Sequence, residues 1–368
     1  MKEIKEIIKA SEKIKQSGET AVLATIVKVL GSHYRKPGAK MLINKKGKTA
    51  GSISGGCFEV DLFERAQKVM ETKQPVVVHY DTTSDDEIIL GTGTGCGGQV
   101  SILLEPYPHE NKINPIDFLK NCLDQKQAGT IATLFSIEGS LDLNVGDRFT
   151  INKNNSSAAD FTEPFLINVI KSDASQIFSD LKSSSKTYNL AKGNCEVFFE
   201  YIKKPISLAL FGAGNDAVPL VSFARELGWD VTVIDHRSSY ATPERFPKAD
   251  SLIVSDIDDI ENNISIKSYT AAVILTHNFL NDLKLLRTLL PVSLKYLGLL
   301  GSRKRGKLLI EALHKQGFKL ADEQLKHFYS PAGLDIGSET PVEIALSIIS
   351  EINAILSNSQ GSFLRDKK

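Results

Sequence analysis

The chain is poor in cysteine, with only Cys57, Cys96, Cys122 and Cys195 in 368 residues. That is too few for a disulfide scaffold; in a reducing compartment these residues are thiols, ligands or redox groups. No C-x-x-C pair and no His/Cys cluster occurs, which argues against a closed structural zinc site. Neither sign of charge is in excess: Lys plus Arg and Asp plus Glu each number 44, so neither nucleic acid nor a membrane surface is expected as a partner. Long apolar runs are missing, and the lysine- and glutamate-rich start lacks the apolar core of a signal peptide. We expect a cytoplasmic protein. The length favours two domains.

What is present changes style near residue 204. The first part reads as α+β. Ile4, Ile7, Ile8 and Ile14 recur at helical spacing, and "TAVLATIVKVLG" (20–31), "KMLIN" (40–44), "PVVVHYD" (75–81) and "QVSILLEP" (99–106) read as strands. "CFEVDLFERAQKVME" (57–71) places Phe58, Leu62, Ala66 and Val69 on one helical face. "ATIVKVLGSHYRKPGAKMLINK" (24–45) aligns without gaps to "ATLFSIEGSLDLNVGDRFTINK" (132–153), and "CEVFFEYIKKP" (195–205) echoes "GGQVSILLEPYP" (97–108). We therefore expect an internal duplication with halves of about 1–110 and 111–203. The second copy lacks the Arg-Lys-Pro and any "GSISGGC". Residues 171–189 read as a polar, partly helical surface segment. From 204 to 368 strands and helices alternate, which predicts a Rossmann-like, doubly wound parallel sheet. Thr340, Pro341 and Glu343 form a capping box that opens the last helix.

Within that second part, "GAGNDA" sets Gly212, Gly214 and Ala217 in the G-x-G-x-x-G/A arrangement, after a strand and at the start of a helix, and Asp235 ends the next strand. Gly212 permits the turn, Gly214 lets the backbone approach a pyrophosphate, and Asp235 is placed for ribose hydroxyls. Arg237 lies where a 2′-phosphate would sit, so the dinucleotide, such as NAD(P), is not fixed; an empty Rossmann site is the alternative. In "GLLGSRKRGKLLIEAL", Ser302 and Arg303 open a helix, and Arg303, Lys304 and Arg305 oppose its dipole unless an anion binds there. A solvated face explains them equally well. His277 ends a strand at the carboxyl edge of the sheet.

The other glycine-rich segments carry the cysteines. Ser54, Gly55 and Gly56 precede Cys57 at a helix start, where free N–H groups attract anions and lower a thiol pKa. Cys57 is placed to be a soft-metal ligand or nucleophile, with Arg35 and Lys36 on a loop expected nearby. Cys96 lies between Gly95 and Gly97. Both cysteines also suit tight turns as small residues; Cys122 and Cys195 read as structural.

"GSHYRKPGAKMLI", "GSISGGCFE", "GTGCGGQVSILLEP", "FGAGNDA", "VIDHR", "RFPKAD", "GLLGSRKR" and "PAGLDIGSETPVEIALSIISEI" together, in this order over most of the chain, resemble the XdhC/CoxI family, the xanthine dehydrogenase accessory factors. The resemblance implies a molybdenum-cofactor chaperone that binds the mature cofactor, protects it, supports its sulfuration and passes it to a molybdenum hydroxylase such as xanthine dehydrogenase, without itself oxidising purines. It implies a homodimer and a cysteine desulfurase as further partners. Carried over by position, Cys57 is the expected metal ligand, Cys96 the next candidate, and Arg35 and Lys36 the anion partners. The family often has an acidic residue after the histidine where this chain has Asn278, so no metal or acid–base role is carried to His277. Two other readings remain open: an NAD(P)-dependent oxidoreductase with a redox-active cysteine, and a nucleotide-free interaction scaffold.

Overall fold

The computed structural model describes residues 1–31, 33–47, 49–56, 58–81, 98–109 and 112–366. They form two compact units, Glu3–Lys204 and Pro205–Lys368, the latter joined by Met1–Lys2.

The first unit contains the same motif twice. Helix α1 (Lys2–Ser17) leads into β1 (Ala21–Gly31), β2 (Lys40–Asn44), β3 (Thr49–Gly51), α2 (Glu59–Thr72), β4 (Val76–Asp81) and β5 (Gly98–Tyr107). Helix α3 (Pro115–Asp124), capped by the Asn114 side chain, connects to the second copy. That copy comprises β6 (Gly129–Gly139), β7 (Arg148–Asn152), β8 (Ser157–Ala159), α4 (Pro164–Asp180), β9 (Ser184–Leu190) and β10 (Gly193–Ile202). Each copy is a five-stranded antiparallel sheet, ordered β3-β2-β1-β5-β4 and β8-β7-β6-β10-β9. The duplication in the sequence is thus a duplication of fold.

The period-two pattern of the long strands decides the layers. Val22, Ala24 and Ile26 pack with Leu62, Ala66 and Val69 of α2, and Ala132 and Leu134 pack with Leu166, Ile170 and Ala174 of α4. The register slips once in each copy, at Val27 in β1 and at Phe135 in β6. A bulge re-aims a side chain. Val27 and Phe135 both enter a small cluster with Leu103 and Phe198, which joins the two sheets.

Two buried ion pairs cross between the copies at equivalent places. Lys40 of β2 binds Glu200 of β10, and Arg148 of β7 binds Glu105 of β5. In register, Lys40 and Arg148 lie opposite Thr25 and Thr133. Lys40 also donates to the Gly38 carbonyl, and Arg148 to that of Gly146. Each copy thereby completes the charge of the other.

Residues 171–189 are mostly exposed and partly helical, as expected, but they are not a separate segment: helix α4 begins at Pro164 and buries Leu166, Ile170, Ala174 and Ile177, and β9 follows it. The amphipathic stripe starts ahead of residue 171, so a window opened there cuts its i, i+4 pattern.

The second unit is a six-stranded parallel sheet in the order β13-β12-β11-β14-β15-β16. Its strands are β11 (Ser207–Phe211), β12 (Asp230–Asp235), β13 (Ser251–Val254), β14 (Ala271–Ile274), β15 (Tyr296–Leu299) and β16 (Phe328–Tyr329). Short helices aside, α5 (Ala217–Glu226) and α8 (Pro341–Leu356) cover one face, and α6 (Phe279–Leu289) and α7 (Arg303–Lys315) the other. The order reverses between β11 and β14, the topological switch point of a Rossmann sheet, where ligands bind at the carboxyl ends of strands. Thr340 and Glu343 form the expected capping box of α8. No helix among the described residues is long and apolar enough to cross a membrane.

Candidate functional site

In the first unit the glycine loop before α2 is shaped by β2. Gly51 has φ +82°, and a Cβ there would lie 2.3 Å from the Lys40 carbonyl oxygen, so only glycine fits. The loop then turns on Ser54. Its hydroxyl donates to Glu59 Oε2 (2.6 Å) and accepts from the N–H groups of Gly56 (3.2 Å) and Phe58 (3.3 Å). The Phe58 N–H also reaches Glu59 Oε2 at 3.2 Å. The expected anion nest therefore already contains an acceptor of the chain's own, the Glu59 carboxylate in the first turn of α2. Gly55 and Gly56 have open space where a side chain would be. Cys57 and Cys96 lie outside the described residues, and so does the metal role expected of Cys57. Among the described residues no cluster of three or more His, Cys, Asp or Glu side chains could hold a metal ion.

The loop carrying Arg35 and Lys36 does come alongside. His33 stacks on Phe58 (centroids 5.9 Å apart, planes at 7°), and Phe58 stacks in turn on Tyr80 (4.3 Å). Burial and a hydrogen bond to Asp61 push the Tyr80 phenol well above its ordinary pKa, so it stays a donor. Arg35 is tied to Glu3 of α1, whereas Lys36 is exposed. Of the two cations read as anion partners, only Lys36 is uncommitted among the described residues.

In the second unit the glycine turn has the anticipated geometry. Gly212 has φ +119°, and a Cβ would lie 2.5 Å from the Leu275 carbonyl oxygen. Gly214 faces open space. Asp235, however, is turned inward. Its Oδ2 accepts from the Ala213 N–H (2.6 Å) and from Arg237 Nη2 (2.7 Å), while Oδ1 accepts from the N–H and Nε of Arg237, both at 2.9 Å. Burial alone would raise its pKa; Arg237 and the Ala213 amide outweigh burial and hold it below the usual value. Arg237 also stacks on Tyr240 at 3.8 Å. The cavity bounded by Gly212, Asp235, Arg237 and Thr276 is only about 20 Å³, against the several hundred that a nucleotide-sized ligand fills. In this arrangement Asp235 is committed to Arg237 and the Ala213 amide and is not free for ribose hydroxyls.

Ser302 caps α7 by accepting from the Arg305 N–H at 3.2 Å. Of the three cations in that turn, Arg305 binds buried Asp282 through both Nε (3.0 Å) and Nη2 (2.6 Å), while Arg303 is exposed. The sequence reading missed Asp282, although a signal existed: it interrupts the apolar stripe that Leu285, Leu286 and Leu289 continue in α6. His277 adopts φ +55° and sets Nε2 2.7 Å from Asp216 Oδ2 at the start of α5. Asp216, Arg245 and Glu59 were likewise not anticipated. Arg245 holds the Ala213 carbonyl and the Asn215 side chain of the glycine turn.

Comparison with known proteins settles the affiliation. Residues 14–81 match the XdhC and CoxI family, and residues 208–352 match the XdhC Rossmann domain. A Bacillus subtilis protein described as a probable subunit of xanthine dehydrogenase is 34% identical over 336 residues, covering 91% of this chain and 92% of that one. The chain belongs to the XdhC and CoxI family. A crystal structure described as a xanthine dehydrogenase from Bacillus halodurans matches this family member with a TM-score of 0.77 and 31% identity, covering 97% of this chain and 98% of the other. The molybdenum cofactor insertion chaperone PaoD of Escherichia coli is 24% identical over 341 residues, 92% of this chain and 84% of its own.

Proposed function

We propose that the protein carries molybdenum cofactor as cargo: it binds the mature cofactor, shields it, supports its sulfuration with a cysteine desulfurase, and delivers it to a molybdenum hydroxylase of the xanthine dehydrogenase type. It works as a cytoplasmic homodimer and does not itself oxidise purines. The observation that carries this reading is similarity along nearly the whole chain to one relative named for xanthine dehydrogenase and another named for cofactor insertion.

The chemistry of the 51–59 loop is compatible with such cargo. A soft-metal centre asks for a thiolate, a role we assign to Cys57, two residues ahead of α2 in the sequence. An anionic cargo also asks for N–H donors. Those of Gly56 and Phe58 now face Ser54 and Glu59, so cargo entry exchanges an internal acceptor for an external one, with Lys36 the available cation. The second unit is compatible with a docking role; its Asp235, held by Arg237 and the Ala213 amide, gives no support to an NAD(P)-dependent oxidoreductase.

The test is retention. The protein is loaded with molybdenum cofactor and gel-filtered, and metal and pterin are measured for wild type and Cys57→Ala. Wild type retains both and Cys57→Ala loses most of the metal. No retention by wild type would sink the carrier, and steady NAD(P)H consumption with an aldehyde, purine or disulfide acceptor would replace it by an enzyme. Retention unaffected by Cys57→Ala would spare the carrier and remove the ligand assignment. A monomeric native mass would remove the homodimer.

A further inference from the structure

The first unit contains a cavity away from the glycine loop, between the ends of β5 and α2 and the turn before β7. Its volume is about 200 Å³, somewhat larger than an engineered cavity of about 150 Å³ that holds benzene. One ring system fits. Much of the wall is apolar, contributed by Met70, Pro75, Pro106, Tyr107, Pro108 and Val145.

Three polar atoms of residues in this wall are buried without a hydrogen-bond partner among the described residues, Thr20 Oγ1, the Tyr107 hydroxyl and His109 Nδ1. The His109 side chain is only 6% exposed. An unsatisfied buried polar atom is costly, and such atoms call for an occupant. The imidazole is also oriented. Its Nε2 faces Glu105 Oε1 at 3.5 Å, and Glu105 is an anion, because Arg148 and His109 outweigh its burial. With Nε2 turned to Glu105, Nδ1 is the ring nitrogen left without a partner. Lys73 and Lys112 complete the lining. Lys112 is paired with Asp147 at 2.6 Å, while Lys73 has no ion-pair partner among the described residues.

The duplication supplies an internal control. The second copy keeps the ion pair, as Lys40–Glu200, but not this equipment. Thr20 precedes β1 where Ala128 precedes β6. His109 lies two residues past β5 where Lys204 lies two past β10. Lys73 and Leu181 close α2 and α4 in the same left-handed conformation, with φ +55° and +52°. The fold is built without Thr20, Lys73 and His109 in one copy, so architecture does not require them in the other.

We propose that this cavity binds a small planar heteroaromatic anion of one or two rings, held by a ring N–H donated to His109 Nδ1, a hydrogen bond to Thr20 Oγ1, and Lys73 facing the negative group. The full-length protein is titrated with orotate, imidazole-4-carboxylate and urate, with benzene as an apolar reference, by ligand-observed NMR. At least one anion binds wild type with Kd below 1 mM. Lys73→Ala, at an exposed position, weakens it about threefold, which the fold cannot explain. Thr20→Val and His109→Leu weaken it about tenfold or more, and benzene binding is unchanged or improved in both; unchanged urea midpoints certify their folding. Failure of all three anions to bind wild type overturns the proposal, as does equal anion binding by wild type, Thr20→Val and Lys73→Ala. Binding of benzene alone reduces the site to an apolar void and also overturns it.

Discussion

Replacing Glu105 by Gln tests the cross-copy ion pairs directly. Glu105 and Arg148 are each 2% exposed, and the guanidinium has no other carboxylate among its described partners, only the Gly146 carbonyl. Breaking a buried pair from one side strands a charge and costs about 3–5 kcal/mol. An independent route gives a similar figure. Burial would raise the Glu105 pKa, yet Arg148 and His109 bring it from 4.5 down to about 2, a shift worth about 3 kcal/mol in favour of the charged folded form. The assay must separate the units. The single tryptophan, Trp229, is buried in the Rossmann core, so its fluorescence follows the second unit, while amide hydrogen exchange in β1, β5, β6 and β10 follows the first. With a urea slope of about 2–3 kcal/mol/M, Glu105→Gln lowers the midpoint of the first unit by about 1.5 M and leaves the Trp229 transition in place. Glu200→Gln costs less, because the Lys40–Glu200 pair is the more exposed of the two, at 4% and 12% against 2% and 2%. The double change Glu105→Leu with Arg148→Met costs less than Glu105→Gln alone, since no charge is left behind. A midpoint shift below about 0.3 M for Glu105→Gln, or a double variant worse than the single, would refute the view that a dry, mutually dependent pair joins the copies.

Three further outcomes follow from the same geometry. Because the folded pKa of Glu105 is depressed, its contribution is fully present above about pH 4.5 and is lost as pH falls toward 2; acid titration followed by exchange in β5 and β10 loses protection in that window, and Glu105→Gln flattens the dependence. Gly212→Ala destabilises the second unit by more than about 2 kcal/mol, combining a left-handed φ with a backbone clash, and lowers the Trp229 transition, whereas Gly214→Ala, facing open space, shifts it by less than about 0.5 kcal/mol. Asp282→Asn costs about 2–4 kcal/mol in that transition, at the lower end because Arg305 is partly exposed.

Local structure was legible because its causes are local. The β-branched runs of β1 and β11, the capping box of α8 and the glycine turn after β11 each declare themselves within a few residues. The duplication was legible because its hairpins keep the turn glycines Gly38 and Gly146, both at positive φ. Partners were not. Glu105 and Arg148, Lys40 and Glu200, and Arg35 and Glu3 are far apart in the chain, and each reads in isolation as an ordinary polar residue. For the same reason Arg35 and Arg305 were read as cations available to a ligand, although each has a carboxylate of its own. Pattern fixes which face a side chain takes; it does not say which charge already waits there.

The glycines show how that gap closes. Composition alone does not separate the glycines of "GSISGG" and "GAG"; only the fingerprint assigns Gly212 to the turn and Gly214 to a ligand's approach. The backbone separates them by what a methyl group would touch. At Gly51 and Gly212, both at positive φ, an added Cβ would lie 2.3 and 2.5 Å from carbonyl oxygens, so the fold alone accounts for them, and their presence says nothing about a ligand. Gly55 and Gly214 meet no atom within 4 Å and need no unusual φ; nothing in the folded chain requires glycine there. An alanine at either position is therefore close to neutral for folding, and any loss it causes in cofactor retention or partner binding reports an approach from outside the chain. Unchanged retention in Gly55→Ala would mean that the cargo does not approach the backbone at that point of the loop.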